Sequence, residues 1–226
     1  MSAVFITATG TDIGKTFVTA GLIRHIRSSG GAIAAVKPIV SGFDPEAWQE
    51  SDPAVLLAAL GRPVVLTEVE RISPWRFKAP LSPHLASARE GRAIVFRDVV
   101  EFCRKSIAVD RGMVLIEGIG GIMVPLDDRH TVLDLMSMLR IPAIMVAGSY
   151  VGTISHTLSA LEVMARRNLD IAAVVVSQSE GSAASLEETV ATVERFADAI
   201  DVVGIPRLAP GADDHAAFAR VAGLLG

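Results

Sequence analysis

The chain has 226 residues, half of them hydrophobic and 20% charged, with a net charge of −4; a chain of this length and apolar content buries its own core, which excludes intrinsic disorder. The acidic balance, with a pI of about 5.7 and no Lys/Arg run, argues against nucleic acid or an anionic membrane as the partner and for small-molecule work. A mean hydropathy of +0.45 in so charge-poor a chain points to apolar surface buried between subunits.

Short β-branched runs alternate with helical patterns along the chain, the pattern of βαβ units around a parallel sheet. The first strand is expected at Ala3–Thr7, followed by a helix over Lys15–Ser29 that stops at Gly30-Gly31. A second strand, Ile33–Val36, runs into Lys37-Pro38, and a helix over Asp52–Leu60 follows, with Ser51 as N-cap, Pro53 in its first turn and Gly61 as its stop. Ile72–Ser87 contains several prolines and reads as an ordered excursion with no assigned element. Then come a helix over Arg97–Val109, a strand over Met113–Glu117, a helix over Val132–Leu139 and a strand over Ala143–Ala147. The last elements are Ser155–Arg167 (helix), Ile171–Ser177 (strand), Ser185–Ala199 (helix), Val202–Gly204 (strand) and Asp214–Leu225 (helix). The expected fold is one α/β domain over residues 1–226, a three-layer P-loop type with a mostly parallel central sheet flanked by helices.

Apolar runs such as Ile171–Val176 are far short of the roughly 20 residues a membrane helix needs. The lone cysteine, Cys103, has no intramolecular partner, and Met1–Ile6 lacks the basic region of an export signal. Both features lead to an expected cytoplasmic location.

Between the first strand and the first helix lies Thr7-Ala8-Thr9-Gly10-Thr11-Asp12-Ile13-Gly14-Lys15-Thr16, a phosphate-binding loop in its strand–loop–helix setting. The loop glycines and the helix N-terminus point N–H groups at the phosphates, Lys15 neutralises β- and γ-phosphate oxygens, and the Thr16 hydroxyl is a Mg²⁺ ligand. Thr9 stands where the usual G-x-x-x-x-G-K-[ST] spacing has its first glycine. Glu117 ends an apolar strand before Gly118, Gly120 and Gly121, and ligands of open α/β sheets bind beyond the carboxyl ends of the strands, so it is expected beside Lys15 and Thr16 as a magnesium carboxylate. Asp52 serves either as an N-terminal helix charge or as a metal carboxylate. If the second strand lies next to the first, Lys37 also points over the phosphates and the site has two ammonium groups, suited to gathering anions; otherwise it is an exposed lysine before a turn.

These residues, taken with Val36-Lys37-Pro38-Ile39-Val40-Ser41-Gly42, Ser51-Asp52, Ala79-Pro80-Leu81-Ser82-Pro83-His84, Ile116-Glu117-Gly118-Ile119-Gly120-Gly121, Gly152-Thr153-Ile154-Ser155-His156 and Gly204-Ile205-Pro206, resemble the dethiobiotin synthetase family in the same order over most of the chain. The resemblance implies a homodimer that uses MgATP to carboxylate 7,8-diaminopelargonate with CO2 and close its ureido ring. Carried to matching positions, it implies that Lys15 and Lys37 stabilise phosphate and carbamate anions. Thr11 and Ser41 would hydrogen-bond those anions, and Asp12 would lie near the reacting amines. Thr16, Asp52 and Glu117 match the magnesium positions. Gly152, Thr153, Ile154 and Ser155 match the segment that receives the substrate carboxylate across the dimer interface. The nucleotide would lie against Asp12, Ile13, Gly14, Lys15, Thr16, Phe17 and Glu117, with its base near Ser177, Gln178, Ile205, Pro206 and Arg207.

Departures from the family pattern are Ala8, Gly10, Asp12 in place of a glutamate, Tyr150 in place of a lysine and Ser155 in place of an asparagine. Ser177-Gln178 stand where an Asn-Asp pair usually follows the strand and reads adenine, leaving base preference open; Gln178 either bonds a base edge or is a loop glutamine. The rival reading is a nucleotide-switched partitioning or positioning ATPase, whose signature lysine would fall at Gly10. A corrinoid amide ligase would need a further glutamine-hydrolysing domain, and a small-molecule kinase would leave a stable phosphorylated product.

Overall fold

The computed structural model describes residues 3–110, 112–209 and 215–225. Six strands form its main sheet: β1 (Ala3–Ala8), β2 (Ile33–Val36), β5 (Met113–Glu117), β6 (Ala143–Ala147), β7 (Ile171–Ser177) and β8 (Val202–Ile205). Their spatial order is β2-β5-β1-β6-β7-β8, and every pairing is parallel. All residues of β1 and β6 are buried, as expected of strands covered on both faces and written as continuous apolar runs.

Helices α1 (Lys15–Ser28), α2 (Asp52–Ala59), α5 (Phe96–Val109), α6 (Val132–Leu139), α7 (Thr153–Arg166), α8 (Leu186–Phe196) and α9 (Ala216–Gly223) flank this sheet. The expected last helix began at Asp214, which lies outside the described residues. Helix α1 packs against both α2 and α9. Gly21 permits the α1–α9 approach, since a Cβ there would lie 2.1 Å from the Phe218 ring. Phe17 meets the same ring edge-on at 5.8 Å between centroids. Gly61 follows α2 with φ +63°, as its stop requires. Ser51 occupies the N-cap position without capping: its hydroxyl donates instead to the Trp48 carbonyl.

The excursion between β2 and α5 is built rather than looped. Strands β3 (Ile39–Ser41) and β4 (Trp75–Phe77) make a small parallel sheet, and α3 (Leu66–Ile72) and α4 (Pro83–Arg89) lie around it. These elements have three to seven residues, too few for hydrophobic periodicity to register.

The sheet order answers the condition on which the sequence leaves the position of Lys37 open. Strand β2 does not neighbour β1; β5 lies between them. The site gains by this, because the pairing of Val36 with Ile116 sets their successors, Lys37 and Glu117, side by side at the carboxyl edge, and Glu117 itself pairs with Ile6 of β1.

Candidate active site

The chain leaves β1 at Ala8, turns through residues 9–14 and enters α1 at Lys15. Two positions in the turn are left-handed, Asp12 (φ +56°) and Gly14 (φ +97°). Aspartate tolerates that region, whereas a Cβ on Gly14 would in addition lie 2.7 Å from the Ser177 hydroxyl. The N-terminus of α1 carries no side-chain cap and no acidic residue in its first turn, so its donors remain for an anionic ligand.

Five side chains converge beyond the sheet edge. The Lys37 ammonium lies 2.6 Å from Glu117 Oε1 and 2.5 Å from Asp52 Oδ2. Thr16 Oγ1 donates to the same Glu117 Oε1 at 2.7 Å, and Lys15 Nζ donates to the Gly10 carbonyl at 3.1 Å. Lys15, Lys37 and Glu117 are buried, while the Asp52 side chain remains 46% exposed. Glu117 Oε2 is buried without a hydrogen-bond partner. A buried acceptor left open in this way is a costly feature for a fold to keep.

The charges shape one another. Burial, helped by the Lys37 charge, lowers the Lys15 ammonium to about 8 against the partial opposition of Glu117 and Asp52. For Lys37 burial also works downward, but the two carboxylates outweigh it and hold the ammonium above its usual range. Burial would raise Asp52, and the Lys37 charge and hydrogen bond reverse that and lower it. At neutral pH both lysines are ammonium groups and Asp52 is a carboxylate.

Two adjoining clefts meet at the loop. One, of about 310 Å³, is lined by Thr11, Asp12, Lys15, Thr16, Lys37, Ser41 and Asp52. The other, of about 540 Å³, runs from Ile13, Gly14 and Phe17 to Ser177, Gln178 and Arg207. Asp12, Gly14 and Phe17 border both. Gln178 is tied to the end of β8, donating its N–H to the Ile205 carbonyl at 2.9 Å and accepting the Arg207 N–H at 3.1 Å through Oε1. Ile205 is fully buried and contributes backbone to this edge rather than a side chain, and Pro206 links it to Arg207.

The structure brings most of the sequence-expected site residues together at these clefts; Ile205 and Pro206 lie behind the larger cleft without lining it, and one segment stands apart. Gly152, Thr153, Ile154 and Ser155 line neither cleft of this chain. Gly152, with φ +96°, is the N-cap of α7, which starts two residues before the expected Ser155. Tyr150 and His156 hydrogen-bond across this turn at 2.9 Å.

Sequence reasoning missed Val40 and Ile119 beside the lysines, and Ser179, Glu180, Leu208 and Ala209 in the larger cleft. Ser179 was findable from its place just past the carboxyl end of β7. It exchanges two hydrogen bonds with Ser149, at 2.9 and 3.1 Å, joining the loops after β6 and β7.

Thr16, Asp52 and Glu117 suit a hard divalent cation, which takes oxygen ligands and commonly binds through one or two carboxylates plus substrate phosphates. The open Glu117 Oε2 fits such a ligand set. Among the described residues no group of three or more His, Cys, Asp or Glu side chains is placed to hold a metal, so a cation here would draw further ligands from phosphate and water.

Comparison with known proteins adds to this geometry. A family model described as an AAA domain matches residues 2–210. The ATP-dependent dethiobiotin synthetase of Acidiphilium cryptum is 49% identical over 190 residues, covering 84% of this chain and 85% of its own. The protein of the same name from Caulobacter vibrioides is 46% identical over 208 residues, covering 92% and 93%. Among solved structures, a ParA family ATPase from Chlorobium tepidum aligns with a TM-score of 0.56 at 13% identity, covering 99% of this chain and 97% of its own. The MinC:MinD cell division complex of Aquifex aeolicus aligns at 0.55 and 12%, covering 98% and 86%. At such identities the structural likeness speaks for a shared P-loop fold and nothing finer.

Proposed function

The chain belongs to the ATP-dependent dethiobiotin synthetase family, and on that premise we propose that it acts as a cyclo-ligase of biotin biosynthesis: 7,8-diaminopelargonate, CO2 and ATP give dethiobiotin, ADP and phosphate. The observation that carries the reading is the convergence of Lys15 and Lys37 with Thr16, Asp52 and Glu117 where a phosphate-binding loop meets a second, substrate-sized cleft.

One substrate amine attacks CO2 and loses a proton, giving a carbamate. A carbamate oxygen attacks the γ-phosphorus, the bond to the β-phosphate oxygen breaks, and ADP leaves. The second amine attacks the carbonyl of the resulting mixed anhydride, which expels phosphate and loses a proton to close the ring. Negative charge passes from the carbamate to the phosphoryl oxygens, and develops on the carbonyl oxygen as the second amine attacks. Lys15 and Lys37, both buried, stabilise that charge as fixed donors. Thr11 and Ser41 hold the same oxygens by hydrogen bonds, and Asp12, at the border of the clefts, faces the amines. Thr16, Asp52 and Glu117 would hold Mg²⁺, which would supply charge neutralisation to the phosphates. The base and ribose lie in the larger cleft against Ile13, Phe17, Ser177, Gln178, the Ile205–Pro206 backbone and Arg207.

We read residues 1–226 as one P-loop domain that works as a homodimer in the cytoplasm. Gly152–Ser155 serves the partner's site in this reading, which agrees with its position outside both clefts of its own chain. Among the described residues no helix is long and apolar enough to cross a membrane. The partitioning-ATPase reading rests on fold likeness at 12–13% identity and is the weaker of the two beside relatives at 46–49%.

Phosphate release from MgATP, with the diamine and bicarbonate omitted in turn, tests the assignment. Release that needs both supports the synthetase; release that continues without the diamine sinks it.

A further inference from the structure

The carboxylate pair is already filled by a cation of the protein's own. The Lys37 ammonium sits between Asp52 Oδ2 and Glu117 Oε1 at 2.5 and 2.6 Å, on the same oxygen that receives the Thr16 hydroxyl. The backbone of Lys37 is fixed independently of this contact. Its N–H donates to the Ile72 carbonyl at 3.1 Å, the Ser73 hydroxyl donates to its carbonyl, and Pro38 follows. Release of the ammonium therefore takes only side-chain torsions. The cleft it would enter is the one lined by Thr11, Lys15 and Ser41.

Charge balance gives this arrangement a direction. With Lys37 in place the carboxylate pair retains one net negative charge, with Lys15 nearby as a second cation. A dication arriving alone must displace the first ammonium and approach the second. Arriving with a polyphosphate, it brings an anion that attracts both ammonium groups, so the exchange becomes favourable.

We propose that Lys37 is a placeholder cation, which closes the Asp52–Glu117 pair until a metal–nucleotide complex binds and is then released toward the transferring phosphoryl group. The inference rests on the reading of Thr16, Asp52 and Glu117 as metal ligands. It ties two events together: the carboxylates become metal ligands in the same exchange that frees the lysine for chemistry. It also predicts that the nucleotide-free protein discriminates against divalent cations, although it carries their ligands.

The test is a titration of the full-length protein with Mn²⁺, followed by the loss of the free-ion electron paramagnetic resonance signal, with and without a non-hydrolysable ATP analogue. The nucleotide-free protein should bind Mn²⁺ at least about tenfold more weakly than its Lys37→Met variant. In the analogue complex the wild type and Lys37→Met should bind Mn²⁺ within about threefold of each other, because the lysine has then left the carboxylates. Equal Mn²⁺ affinity of the two nucleotide-free proteins would overturn the proposal. Should Lys37→Met fail to fold, Lys37→Gln makes the same comparison: Mn²⁺ binding to the nucleotide-free variant no tighter than to the nucleotide-free wild type overturns the proposal, and binding at least about tenfold tighter supports it. The Glu117→Gln variant separates the underlying reading. If it binds Mn²⁺ with the analogue as tightly as the wild type does, the metal assignment fails, and the proposal with it.

Discussion

Thr16 Oγ1 donates to Glu117 Oε1 at 2.7 Å, joining the first turn of α1 to the end of β5 across 101 residues of sequence. The bond orients the one Glu117 oxygen that also faces Lys37 and leaves Oε2 without a partner. Glu117→Gln keeps the shape but removes the charge. Magnesium-dependent nucleotide binding should weaken by about 10- to 100-fold, read as a rightward shift of the magnesium titration of phosphate release. An unchanged titration would make Glu117 a structural residue only.

Lys37→Met removes the cation from a fully buried position and strands Glu117. Losing one member of a buried pair costs about 3–5 kcal/mol of stability, so the melting temperature should fall. The turnover number should fall by at least about 100-fold, while nucleotide binding stays measurable, because the lysine acts mainly on charge that develops during the reaction. A variant with full turnover would remove Lys37 from the chemistry.

The Lys15 ammonium, lowered to about 8 by burial and by Lys37, makes nucleotide binding depend on pH. A bound polyphosphate favours the charged lysine and raises its pKa, so the complex holds a proton that the free protein has lost above pH 8. Binding then takes up a proton, and affinity should fall as pH rises through about 8, approaching tenfold per pH unit. Calorimetry in buffers of different ionisation heat, at about pH 8.5, should show uptake of a substantial fraction of one proton. Affinity independent of pH across this range would contradict the assigned contact.

Gly14→Ala places a Cβ at φ +97° and within 2.7 Å of the Ser177 hydroxyl. The backbone strain is about 1–3 kcal/mol, and displacement of Ser177 disturbs the base cleft. Nucleotide affinity should drop more steeply than stability. Gly21→Ala is the comparison, because its new Cβ strikes the Phe218 ring behind α1; stability should fall while nucleotide affinity is kept.

The sheet's strands were legible because parallel strands buried on both faces are written as unbroken apolar runs. Strands β2, β5, β6 and β7 and helix α6 have the expected bounds. Helix α7 was placed two residues late because Ser155 has the chemistry of an N-cap, whereas the chain starts the helix after a left-handed glycine, Gly152. Strands β3 and β4, at three residues each, carry too little pattern to read. In the site, Lys15, Thr16 and Glu117 were legible from the loop motif and from the end of an apolar strand. The position of Lys37 between two carboxylates was not, since it depends on β5 lying between β2 and β1 and on the Val36–Ile116 register, both non-local.

The central claim is that the chain fixes CO2 into a ring at the expense of a γ-phosphate. Mass spectrometry of the products formed from ¹³C-bicarbonate, 7,8-diaminopelargonate and MgATP tests it directly. The account predicts dethiobiotin carrying the label in its ureido carbonyl, in step with the phosphate released. Phosphate released without labelled dethiobiotin, or a stable phosphorylated diamine in its place, would contradict it.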